Sequence, residues 1–453
     1  MSCPVLTSRE IVEDITKRLA ELNRNLVSDE FEESLDYLRR FIDLKIHRYK
    51  TGSECWTWVI PPKWRVREGY IKRGDREIVS FRNHPLHVMS YSTPVHKKIK
   101  GRELLEHVFV HHTLKEAIPY EFSFYHRRWG FCLTQAQKKD ILEEETYEVL
   151  IDSEFLDDDL CVGEYTVPGT SDEHIFFLSH IDHPFQVNDG LIGAAVNVAL
   201  AKRLEGQKNY YNYTFLFGPE SIGSIAYLSH HEDLIPKIRY AAFVEMVGLD
   251  HPLILQKSRE EQALINSYAL YAMEKRQGVG KAYGFQTVAG NDEKIFDGPG
   301  IGIPSISLTR VNQEGRVKTT APDLKEGTPA LLPPYVEYHS HLDNLGSVHF
   351  ARAAQSVECL YDLVQVIEGD FIPVRKFKGP VFLSKYDLWV DWRTHPELSK
   401  KIWWLMYCLE GKRTAFQIAQ ELNIDVEEIY NLLNKFYDKG LIAKERIPLA
   451  FDR

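Results

Sequence analysis

The chain has 453 residues, too many for one ordinary core, and length alone predicts about three domains. Its 44% hydrophobic and 26% charged residues, with no low-complexity tract, are the composition of a soluble globular protein. A net charge of −10 speaks against bulk nucleic-acid binding, and no apolar run approaches the roughly 18 residues of a membrane span. The first twenty residues mix acidic and basic side chains without an apolar stretch, so no signal peptide is expected. Six cysteines are scattered without a CxxC pair, which predicts reduced thiols and a cytoplasmic protein.

Residues 8–48 read as helices: Ile11, Ile15 and Leu19 recur at helical spacing behind a possible Ser8 cap, and Phe31–Tyr49 shows a similar face. At Trp56 the character changes to short strands and turns, with segments 68–72, 77–81 and 86–92 as strands, which predicts a small inserted β-rich domain. An α/β pattern begins at about Tyr147. Strands are expected at 147–151, 173–179, 213–217 and 240–247, with helices at 190–204 and 223–230 between them. Such alternation predicts a mostly parallel central sheet with helices on both faces, and ligands at the carboxyl ends of its strands. After Pro373 helices are expected at 396–409, 414–422 and 425–439, followed by a strand, the layout of a winged helix. The expected domains are 1–55 with 125–375, 56–124, and 376–453.

Five candidate metal ligands, each set in a strand-end motif, fall at those carboxyl ends: His180, Asp189, Glu220, Glu245 and His339. Two imidazoles and three carboxylates suit one or two zinc ions with room for water. Asp182, two residues after His180, is placed to orient it. Taken singly each has a plainer reading; Asp189, for instance, could be a helix N-cap.

The ordered set resembles the M28 zinc aminopeptidases. The resemblance is carried by His180-Ile181-Asp182, Asp189 before an apolar helix, Glu220 with Gly223-Ser224 and Tyr227, and Glu245-Met246-Val247-Gly248. Asn291-Asp292 with Phe296 and Gly302-Ile303-Pro304, and Tyr338-His339-Ser340 with Asp343, complete it. Over its whole length the chain also resembles aminopeptidase-like proteins with an inserted β domain and a C-terminal winged helix, often described as polysaccharide-biosynthesis proteins. Ile118-Pro119-Tyr120, Trp129-Gly130-Phe131-Cys132 and Tyr335–His339 carry that likeness.

The resemblance implies that Asp189 bridges two zinc ions, with His180 and Glu245 on one and Glu220 and His339 on the other. It prefers His339 to His341, because a tyrosine precedes it. In the M28 pattern two adjacent glutamates serve as general base and metal ligand; here the pair reads Pro219-Glu220. Glu220 is therefore either base or ligand, and Asp182 and Glu220 are the candidate catalytic carboxylates. Asp292, Arg310 and Tyr338 are candidate substrate contacts, although Arg310 could equally belong to a structural ion pair. Tyr125, Arg127, Arg128 and Trp129 could line the cleft or simply pack.

The helix expected at 425–439 begins Asp425-Val426-Glu427-Glu428, which suits a helix N-terminus but repels phosphate. The C-terminal unit is thus expected to contact a protein partner or a second copy rather than DNA. The expected activity is zinc-dependent, aminopeptidase-like hydrolysis of a short peptide or an amide-bearing small molecule. The alternative is a catalytically degenerate metal- or ligand-binding protein.

Overall fold

The computed structural model describes residues 6–314 and 333–449. The chain divides into two compact units, Met1–Tyr361 and Asp362–Arg453.

In the first unit an eight-stranded sheet runs in the order Lys45–Lys50, Asp159–Val167, Asn212–Gly218, His174–His180, Ile238–Val244, Ser305–Thr309, Ile254–Gln256, Ala282–Tyr283. The four middle strands are parallel neighbours, while Asp159–Val167 and Ile254–Gln256 join them antiparallel, so the sheet is mixed. Strand His174–His180 shows how its two faces are covered. Phe176 packs on Tyr227 and Phe296, from helices Ile222–Ser229 and Glu293–Phe296. Ser179, of opposite parity, accepts a hydrogen bond from Asn197 of helix Leu191–Leu204. Alternate side chains of a strand point to opposite faces, so helices flank both. Helix Ser8–Leu19 packs on Leu191–Leu204 through Ile11, Val12, Ile15 and Leu19; its cap is Thr7, in a capping box with Glu10.

Four local expectations are corrected. The second N-terminal helix ends at Leu38, and Lys45–Lys50 is an edge strand, because pairing with Asp159–Val167 outweighs the local helical pattern. Strand Thr146–Leu156 does not open the central sheet. It lies between Lys63–Arg73 and Val95–Lys100 in a smaller antiparallel sheet that also holds Arg76–Ser80. Residues 86–92 form no regular strand: Pro85 starts a 3₁₀ turn, and only single bridges at Val88 and Ser90 follow. The strand in that region is the lysine-bearing Val95–Lys100, whose charges suit a sheet edge. The two sheets share one buried cluster that runs from Ile71, Val79 and Val149 to Phe176 and Phe243.

In the second unit, helices Pro396–Cys408, Ala415–Leu422 and Val426–Asp438 precede strand Ile442–Glu445, which pairs antiparallel with Ile372–Arg375. Thr414 with Gln417, and Asp425, cap the second and third helices. Among the described residues no helix is long and apolar enough to cross a membrane.

Candidate metal centre

The site lies where the parallel strands end. His180 is the last residue of its strand, opposite Gly218, and Glu245 directly follows Ile238–Val244. Glu220 follows Asn212–Gly218 by two residues. These are the carboxyl ends at which open α/β sheets place ligands.

Asp189 sits on the loop into helix Leu191–Leu204, and that loop is fixed by Asp343. The Asp343 carboxylate accepts from the backbone N–H of Val187, Asn188 and Asp189 at 3.2, 3.1 and 3.1 Å, and from Tyr335 Oη at 2.8 Å. Two close approaches need glycine. A Cβ on Gly190 would lie 2.7 Å from the His180 ring, and one on Gly193 would lie 1.9 Å from the Val244 carbonyl oxygen. Arg24 closes the loop from below, donating to the carbonyls of Leu19, Ile181, His183 and Gln186 while fully buried.

The Glu220 turn hangs on two buried carboxylates. Glu220 N donates to Asp182 Oδ1 at 2.9 Å, and Ser221 N donates to Asp292 Oδ1 at 3.1 Å. His339 is held by the segment 118–120: Tyr120 N donates to His339 O at 2.7 Å, and Pro119 bridges Ser340. The Tyr338 ring stacks on the His339 ring, with centroids 4.0 Å apart. Phe185, Ser221, Met246 and His339 all take left-handed backbone conformations, at φ 59°, 60°, 50° and 54°. Strain of this kind collects at functional sites.

The side chains converge on Asp189. His180 Nε2 lies 3.5 Å from Asp189 Oδ1 and 3.5 Å from Glu245 Oε2. His183 Nδ1 lies 3.4 Å from Asp189 Oδ1, and His339 Nε2 lies 3.2 Å from Asp189 Oδ2. Asp182 stands behind His180, with Oδ1 3.4 Å from Nδ1. Glu220 Oε2 is 3.5 Å from His183 Nε2. Two donor groups therefore share Asp189: His180 with Glu245, and His183 with His339, the donor atoms of each group lying within 4.8 Å of one another.

His180 Nε2, His183 Nδ1, Asp189 Oδ2, both Glu245 oxygens and His339 Nε2 are buried without a hydrogen-bond partner. Buried polar atoms are nearly always paired. So many unpaired donors and acceptors at one point, mixed imidazole and carboxylate, fit divalent metal ions with open coordination positions. Electrostatics agree. Burial pulls the His180 imidazole down, but Asp182, Glu245 and Asp189 more than offset this and hold it well above its usual range. Burial pushes Glu245 up to about 7, with Asp189 and Glu220 adding to the effect while His180 opposes it. A cation would relieve the carboxylates in place of these protons.

The structure gathers His180, Asp182, Asp189, Glu245 and His339, with Glu220 at the edge. His341 is turned away, its Nδ1 accepting from Ile118 N at 3.0 Å. His183 was not singled out in the sequence, although a second histidine three residues after His180 is the signal that marks it.

Two expected substrate contacts are corrected. Asp292 is 4% exposed and holds the Ser221 turn. Arg310 is fully buried, and its guanidinium donates to the carbonyls of His251 and Arg352, to Gln355 Oε1 and to Ser356 Oγ. It braces helix Phe350–Gly369, with four of its five N–H groups engaged inside the protein. Tyr338, by contrast, stays beside the cluster. The Arg127 guanidinium packs over the Phe155 ring, and Tyr125 Oη donates to Val59 O.

A family model described as a domain of unknown function, DUF4910, matches residues 13–324. A Clostridium acetobutylicum protein provisionally named as a polysaccharide biosynthesis protein with aminopeptidase-like domain is 28% identical over 436 residues, covering 95% of each chain. A crystal structure of a protein from the same species, provisionally named a peptidase, superposes with a TM-score of 0.82 at 27% identity, over 96% of this chain and 97% of that one. The zinc aminopeptidase of Bacillus subtilis superposes with a TM-score of 0.58 at 12% identity, over 79% of this chain and 94% of that one, a likeness of fold alone. With a zinc-aminopeptidase-like sheet and 312 of its residues inside the family model, the chain belongs to the DUF4910 family.

Proposed function

We propose that this chain is a zinc-dependent, aminopeptidase-like hydrolase acting on a short peptide or an amide-bearing small molecule. The observation that carries the reading is the pair of donor groups sharing Asp189, buried and otherwise unpartnered. His180, Asp189 and Glu245 would hold one ion, and Asp189 with His339 would contribute to a second. A zinc ion held there would supply a water of lowered pKa and a polarised carbonyl. Asp182 would keep the His180 ring in the orientation that leaves Nε2 free for the metal. Tyr120 and Phe122, whose rings lie 5.4 and 6.4 Å from the His339 ring, would wall the site and favour small substrates.

A second reading is a metal-binding protein without turnover, favoured by Pro219 where a proton-accepting glutamate would stand. The C-terminal unit is proposed to contact a protein partner or a second copy. The acidic start of Val426–Asp438 argues against DNA.

The reading is tested with aminoacyl chromogenic amides. Zinc-loaded protein should hydrolyse at least one, and a chelator should abolish the activity reversibly. Tight zinc binding without turnover across a broad panel would support the second reading instead.

A further inference from the structure

We infer that His183 is a ligand of the second metal position, and that Glu220 is thereby left free to act as the general base. This rests on the hydrolase reading above and says how one glutamate can serve where a pair is expected. Pro219 leaves a single carboxylate for two duties, proton transfer and metal binding. A replacement ligand must come from elsewhere, and the structure offers one.

His183 is 4% exposed, and its Nδ1 has no hydrogen-bond partner. That nitrogen lies 3.4 Å from Asp189 Oδ1, and His183, Asp189 and His339 together form a three-donor group. A buried imidazole nitrogen without a partner is unfavourable, so a ligand is what the position calls for. The ring is held from several sides. Its backbone carbonyl accepts from Arg24 at 2.9 Å, and the Tyr120 ring packs edge-on against both His183 and His339, with centroids 5.4 Å away in each case.

Glu220 differs from the other acids of the site. Among the described residues it belongs to none of the three-donor groups. Its side chain is 28% exposed, whereas those of Asp189 and Glu245 are sealed at 2% and 0%. With His183 Nδ1 given to the metal, Nε2 carries the ring proton and faces Glu220 Oε2 at 3.5 Å. Carboxylates commonly orient metal-bound imidazoles in this way. The turn is rigid, pinned by Asp182 through Glu220 N and by Asp292 through Ser221 N. Glu220 thus stands at the open rim, next to the second metal position. It would accept one proton from water as the water oxygen bonds to the amide carbon. It would return that proton to the amine nitrogen as the C–N bond breaks.

The test is a zinc count. Protein loaded with zinc chloride and desalted is assayed by elemental analysis, wild type beside His183→Ala and Glu220→Gln. The expected result is two zinc per chain in the wild type, one in His183→Ala, and two in Glu220→Gln. Turnover of an aminoacyl chromogenic amide should fall in Glu220→Gln by on the order of 100-fold or more. Two ions retained in His183→Ala, or one lost from Glu220→Gln, would overturn the assignment while leaving the hydrolase reading intact. No zinc in the wild type would overturn both. Should His183→Ala fail to fold, His183→Asn and the Glu220→Gln count decide the matter.

Discussion

At the scale of single residues, the buried groups around Asp189 favour bound protons, which a cation would displace. Burial lowers the His183 imidazole, but Asp189 and Asp182 outweigh burial and the nearby His180, raising it to about 9. A raised histidine pKa stabilises the fold fully below the unfolded value of about 6.5, and that stability is lost as pH rises through about 9. Glu293, pushed up to about 8 by burial, acts in the same direction over the lower part of that range. Chelator-treated protein should therefore lose stability between pH 6.5 and 9, by on the order of 3 kcal/mol from His183 alone. Zinc takes the place of those protons, so calorimetry should show the gap in Tm between zinc-loaded and chelated protein widening with pH. A gap that narrows would mean that the imidazoles are not the zinc ligands. His180, Asp189 and Glu245 were legible as candidates because each ends or follows a strand within a distinctive short motif, and His339 because Tyr338 precedes it. His183 and Arg310 were not. His183 becomes visible as a ligand only when the loop folds back on Asp189, and the four acceptors of Arg310 are distant in sequence.

At the scale of elements, the helix behind Asp189 and the strand before Glu245 are locked by one contact. A Cβ on Gly193 would meet the Val244 carbonyl oxygen at 1.9 Å. Alanine is the better helix former by about 1 kcal/mol. Overpacking against a backbone atom of the central sheet should nevertheless win, so Gly193→Ala should lower the urea midpoint by an amount equivalent to about 1–3 kcal/mol. It should also weaken zinc binding, since Glu245 directly follows Val244. A raised midpoint would show that the helix can shift without cost. Long apolar runs such as 173–179 and 213–217 declared their strands because they are buried on both faces. Lys45–Lys50 did not, since an edge strand whose exposed residues, Lys45, Arg48 and Lys50, are charged has no such run and takes its form from its partner. Strand Thr146–Leu156 was legible as a strand but not as a member of the smaller sheet, because pairing is a property of two segments and local pattern describes only one.

For the molecule as a whole, the alternation of strands and helices was enough to place the centre at the carboxyl ends of an α/β sheet. Strand order and the mixed pairing were not, because they depend on which segments cross over. The Ala117–Tyr120 stretch illustrates the difference. Nothing in its pattern shows that it reaches across to anchor His339, yet that anchor completes the cluster. Metal binding at Asp189 is the claim on which the functional account stands. The most direct test is diffraction from zinc-loaded crystals at the zinc absorption edge. Two anomalous peaks are expected beside the Asp189 carboxylate, one next to His180 and Glu245 and one next to His339. Well-measured data with zinc bound elsewhere and no peak at Asp189 would contradict the account.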